Sequence, residues 1–179
     1  TMTFYGAQAQ CCNKSCLKNI PKKDDLKPLR FQDGNWRLRH GVMRYMCLPG
    51  QLELKIQKIA EKCGCGAELW PDRDKYDVKI TLPDGQVWAI DAKTHRNPYM
   101  LKKSIEKDYV FTHTKAQKVF YVVPDDCLTD YPDYCKICND ALASNFPDSI
   151  AKCVSMRIFS KELKGEVEDV KLRNYQKKS

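Results

Sequence analysis

Apolar positions in "PGQLELKIQKIAEKCGCG" recur at helical spacing: Leu52, Ile56, Ile59 and Ala60 form one stripe. Pro49-Gly50 marks an entry turn and Gly64 and Gly66 suit a stop, so the pattern predicts a helix between them. At about 100° per residue, Glu53 falls on the edge of that stripe beside Ala60, where it can lean across the buried face. The period then shortens to two in "YDVKITLPDGQVWAIDAK", which reads as a hairpin. Beyond it, "PYMLKKSIEKDYVF" reads as a helix with Leu101, Ile105 and Tyr109 inward. "KVFYVVP" reads as a buried strand ended by Pro124, "DYCKICNDALASNF" as a short helix and "CVSMRIFS" as a last strand. This order predicts an α/β fold with a mixed sheet flanked by helices. Residues 1–49 are irregular and are expected to extend a domain over 50–170, with a basic tail at 171–179.

Which side chains meet across the hairpin depends on its turn, because a one-residue slip exchanges the faces of a strand. A two-residue loop at Asp84-Gly85 would put Val78 opposite Asp91 and leave Asp77 and Asp91 on different faces. A three-residue loop, Pro83-Asp84-Gly85, sets Leu82 opposite Gln86 and Asp77 opposite Asp91. The residues favour the second. Proline is preset for the first central position of a type I turn, and glycine accepts the positive φ that follows. Val78, Ile80, Leu82, Trp88 and Ile90 then share an apolar face, and Asp77, Lys79, Thr81, Asp91 and Lys93 a polar one.

Two carboxylates and a lysine on one face suit metal-assisted hydrolysis of a phosphodiester. That reaction places negative charge on an already anionic centre. Carboxylates can hold Mg²⁺ with its waters, and a neighbouring lysine can position or deprotonate the attacking water. Glu53, on the preceding helix, can complete the set. The competing reading is an exposed hairpin face whose acids and lysines form weak surface pairs. A D-x-K triplet alone carries little information. A helical Glu, an Asp, a turn and a strand-borne D-x-K in this order carry more.

The chain has 179 residues, 42% apolar and 30% charged, with a formal net charge of +8. Such a length suits one domain, and the basic excess suits nucleic acid ahead of a membrane surface. Part of the excess lies in "KLRNYQKKS", which a solvated end would also explain. No run approaches the roughly 18 apolar residues of a spanning helix. The first residues lack the charged and apolar regions of a secretory signal, so a cytoplasmic location is expected. In "NWRLRHGVMRYM", Arg37, Arg39 and Arg44 alternate with Trp36 and Tyr45, a mixture that can grip phosphates and stack on bases. The alternative is an ordinary element with Trp36, Val42, Met43 and Met46 inward. His95 and Arg96, just past Lys93, are either phosphate contacts or plain loop residues.

Ten cysteines is a high count, and in a reducing compartment clustered cysteines read as metal ligands before disulfides. Cys12-x₃-Cys16 and Cys135-x₂-Cys138 would together make a tetrahedral Zn²⁺ site that staples the extension to the C-terminal half. Free thiols are the competing reading. A zinc-stapled interaction module would explain the cysteines but not the polar hairpin face.

Glu53, Asp77 and "IDAK", with Asp91 and Lys93, resemble the core of the PD-(D/E)xK nuclease superfamily, the restriction-endonuclease-like fold, over roughly residues 50–124. The first acid stands in "YD" where that pattern has "PD". The resemblance implies a divalent-metal-dependent DNA endonuclease. Mg²⁺ or Mn²⁺ would be held by Asp77, Asp91, the carbonyl of Ala92 and Glu53, with Lys93 positioning the water. The sweep "RLRHGVMRYMCLPGQLELKI … ELWPDRDKYDVKI … GQVWAIDAKTHRNPYML" is similar to restriction-endonuclease-like subunits encoded beside prokaryotic PIWI-like proteins. That implies a role in defence against invading DNA, as a homodimer or within a larger complex. A non-cleaving nucleic-acid-binding or scaffold subunit on the same fold is the alternative. "QKVFY" fits the Q-x-x-x-Y spacing of RecB-type nucleases, where it lies on a helix. Here it leads into a strand and reads as coincidence. Some superfamily members carry a [4Fe–4S] cluster, and Cys127, Cys135, Cys138 and Cys153 keep that reading open beside zinc.

Overall fold

The computed structural model describes residues 2–5, 8–11, 50–71, 75–112 and 114–176. The chain divides into two units, residues 1–48 and 49–179. In the first, β1 (Met2–Tyr5) and β2 (Gln8–Cys11) pair antiparallel, with Met2 opposite Cys11. Cys12, Cys16, Arg37, Arg39 and Arg44 lie outside the described residues.

The second unit begins with α1 (Gly50–Lys62), the helix expected from the Leu52/Ile56/Ala60 stripe, and those three residues are buried. Gly64 takes a φ of 82°, which lets the Cys65 N–H return to the Ala60 carbonyl at 3.0 Å and closes the helix. A short strand, β3 (Gly66–Leu69), follows. The sequence reading missed it, because "GAEL" has no β-branched residue and no fully buried one.

β4 (Val78–Thr81) and β5 (Val87–Ala92) form the hairpin in the three-residue register. Val78 pairs with Ile90 and Ile80 with Trp88. Leu82 N–H donates to the Gln86 carbonyl at 2.9 Å, and Gly85 has a φ of 87°.

α2 (Pro98–Lys107) starts where Asn97 accepts from the Tyr99 N–H at 2.9 Å and Pro98 opens the first turn. It stops short of the expected end. Tyr109 lies beyond it and still packs inward, stacked on Phe146 at 4.5 Å between ring centroids. β6 (Lys118–Val123), α3 (Cys127–Asp130), α4 (Tyr134–Asn145), β7 (Ala151–Ser155) and α5 (Met156–Gln176) complete the unit. The expected last strand is therefore split: "CVS" is strand and "MRIFS" opens a helix. Phe159, Leu163, Val167 and Val170 form the buried stripe that makes α5 helical, and the helix runs on into the stretch read as a basic tail.

The sheet order is β3-β4-β5-β6-β7. The first three strands run antiparallel and the last three parallel. One face packs Val78, Ile80, Trp88, Ile90, Phe120 and Val122 against α1 and α5. The other packs Ala89, Val119, Tyr121 and Cys153 against α2 and α4. β6 is buried on both faces, as its unbroken apolar run requires.

A carboxylate and lysine cluster at the end of β5

The register pairs Val78 with Ile90, which brings Asp77, immediately before β4, to the carboxyl end of β5 that carries Asp91. The Asp77 N–H donates to the Ile90 carbonyl at 3.1 Å and holds it against β5. Asp77 Oδ2 in turn accepts from the Ala92 N–H at 2.6 Å, so its side chain crosses to the strand that carries Asp91. Lys93, one residue past β5, places Nζ 2.6 Å from Asp91 Oδ2. Its backbone N–H is held by the Val122 carbonyl at 2.9 Å, which keeps it on the sheet.

Asp91 is 3% exposed, so the hairpin's polar face is covered at its centre and meets water at Thr81 and, in part, at Lys79 and Lys93. The reason is topological. β5 is the middle strand, and the helices connecting the parallel strands cover it on the side that Asp91 faces. Burial pushes the Asp91 carboxyl up to about 7; Lys93 opposes the rise and Asp77 adds to it.

Glu53, in the first turn of α1, does lean across the buried face and is 6% exposed. Its Oε2 has no hydrogen-bond partner. Burial lifts its carboxyl to about 7, with a further upward push from Asp77 and a downward one from Lys93. Among the described residues, no three acids, thiols or imidazoles stand together as a ready-made ion cage. The residues fit a divalent cation nonetheless. Burial holds two carboxyls well above the ordinary carboxylate range, and one buried carboxyl oxygen of Glu53 has nothing to bind.

His95 and Arg96 lie on the exposed loop after Lys93. Partial desolvation and the Lys93 charge hold the His95 imidazole below its ordinary pKa. The His95 carbonyl is gripped from beneath, by Tyr134 Oη at 2.6 Å and Cys127 Sγ at 3.6 Å. Arg96 pairs with Asp126 at 3.7 Å and Asp130 at 3.9 Å. Gln117 sits at the far end of β5, where its Oε1 accepts from the Val87 N–H at 2.6 Å. Tyr121 is different: it is in register with Asp91, and its hydroxyl is buried without a partner. Setting the Gln117–Tyr121 spacing aside as coincidence passed over this neighbour; matching the strand parity of Tyr121 to that of Asp91 would have found it. Cys135 is half-buried and Cys138 buried, both in α4.

No curated protein and no solved structure matches the chain. The sequence family described as "REase associating with pPIWI_RE" matches residues 50–170. That span holds all of the five-stranded sheet and the four converging residues, and the chain belongs to this restriction-endonuclease-like family.

Proposed function

We propose that this protein is a divalent-metal-dependent DNA endonuclease. Glu53, Asp77 and Asp91 would hold Mg²⁺ or Mn²⁺, together with the carbonyl of Ala92. The observation that carries the reading is the Asp91–Lys93 pair at 2.6 Å, with Asp77 crossing to the same strand and Glu53 Oε2 buried and unpartnered. When bound, the cation supplies Lewis-acid charge to the phosphodiester. Asp77 and Asp91 keep that charge at the end of β5, each fixed by strand pairing. Lys93, whose ammonium lies 2.6 Å from Asp91 Oδ2, would orient an attacking water and screen the negative charge that develops on the phosphate. His95, with its lowered pKa, would be a neutral hydrogen-bond donor to the substrate phosphate. The +8 net charge supports a polyanionic substrate, with binding that weakens as salt rises. The family description, which speaks of association with pPIWI_RE, supports a prokaryotic PIWI-like protein as partner in a defence complex.

The test is cleavage of plasmid and of single-stranded DNA with Mg²⁺ or Mn²⁺, alongside Asp91→Ala and Lys93→Ala. Each variant should lose about 10²–10⁴-fold in rate, and chelator should abolish the reaction. Cleavage that survives both substitutions overturns the assignment. Metal-independent binding without cleavage selects a non-cleaving DNA-binding subunit instead.

A further inference from the structure

Four free cysteines surround Tyr134 on the second core: Cys127 in α3, Cys135 and Cys138 in α4, and Cys153 in β7. The proposed cleavage chemistry uses none of them. Asn139 fixes how α4 meets β7. Its Oδ1 accepts from the Cys153 N–H at 2.7 Å, and its Nδ2 donates to the Cys153 carbonyl at 3.1 Å. This two-point clamp lays the face of α4 that carries Cys135, one turn before Asn139, against Cys153, with Cys138 buried in the same core.

The thiols differ in access and in what they face. Cys138 and Cys153 are 0% and 1% exposed, whereas Cys135 is half-buried. Cys127 donates to the His95 carbonyl, and Cys138 donates to the Pro98 carbonyl at 3.9 Å. Cys135 is left as the partly exposed thiol on the helix face that Asn139 clamps to Cys153.

We propose that Cys135 and Cys153 form an oxidisable pair, in which Cys135 reacts with a small peroxide and Cys153 resolves the product as a disulfide. The Cys135 sulfur attacks one peroxide oxygen. An S–O bond forms, the O–O bond breaks, and the departing hydroxide takes the thiol proton as water. The Cys153 sulfur then attacks the sulfenic sulfur. The S–S bond forms, the S–O bond breaks, and the oxygen leaves as a second water with the Cys153 proton. Each sulfur is oxidised by one electron, and the peroxide gains two. Cys138 keeps its thiol, directed at Pro98.

The test uses the full chain, reduced, desalted and treated with stoichiometric hydrogen peroxide. Remaining thiols are alkylated and peptides mapped without reductant. The expected result is a Cys135–Cys153 crosslink and a mass loss of two hydrogen atoms. In Cys153→Ser, dimedone should label Cys135; should that variant not fold, the wild-type map decides alone. A crosslink between other cysteines, Cys135–Cys138 included, overturns the proposal, as does an unreacted Cys135. Zinc carried by the purified protein and released on titrating these thiols with a mercurial also overturns it, by making the cluster a metal site.

Discussion

Glu53 and Asp91 hold two buried carboxyls against one lysine, and the imbalance has a sign that can be measured. Their folded pKa values of about 7 stand above the ordinary 4.5 and 3.8. The folded state therefore binds protons more tightly than the unfolded chain. Stability from this pair is fully present below about pH 4, falls as pH rises to about 7, and is level beyond. In chelator at pH 8, Glu53→Gln should stabilise the fold by about 1–3 kcal/mol, because it removes a buried charge that lacks a partner. The difference between wild type and variant should vanish at pH 4, which urea melts at the two pH values would reveal. Mg²⁺ should raise the melting temperature of the wild type at pH 8 and leave Glu53→Gln less affected. A variant no more stable than wild type at pH 8 would place Glu53 in a solvated environment.

At the scale of elements, the hairpin turn decides whether the two aspartates meet. Gly85 has a φ of 87° with open space around it, so an added methyl would clash with nothing and would pay only for the left-handed backbone. Gly85→Ala should cost about 1–2 kcal/mol, read from the urea midpoint, with slope unchanged. Asn97 does similar work at the other end of β5. It caps α2 through the Tyr99 N–H, and so ends the loop that carries His95 and Arg96. Asn97→Ala should cost about 1 kcal/mol. If hydrogen exchange at residues 94–99 is not faster in this variant, the cap does not organise that loop.

At the scale of the whole second unit, two cores hold the sheet from either side. Phe159 of α5 meets Trp88 and Phe120 edge-on, at 6.4 and 5.7 Å between ring centroids. Phe159→Ala should destabilise by about 3–5 kcal/mol. Asp91 lies on the opposite face of β5 from that core, but Glu53 rides on α1, whose Leu52 and Ile56 share the core with Phe159, so metal affinity measured by titration calorimetry on the folded variant should fall. Unchanged affinity would mean that α1 holds Glu53 in place without Phe159.

The same division explains what could be read along the chain. The stripe of α1, the Pro83-Asp84-Gly85 turn and the apolar run of β6 are local patterns, set by backbone sterics and by the period of side-chain burial. They were enough to set the Val78–Ile90 register, which carries Asp77 to the strand of Asp91, and to let Glu53 lean inward. β3 escaped because a short edge strand is defined by its neighbour and not by its own residues. α5 was legible in the spacing of Phe159, Leu163, Val167 and Val170, but a strand reading of "CVSMRIFS" ran over its start. The burial of Asp91, the grip of Tyr134 on the His95 carbonyl 39 residues away and the approach of Cys135 to Cys153 each join separate segments of the chain. The sequence by itself determined the elements and the face each residue takes, because those follow from local geometry. Only the tertiary structure decided which faces are covered, and with them the raised carboxyls and the thiol cluster, because burial belongs to the packing of distant segments.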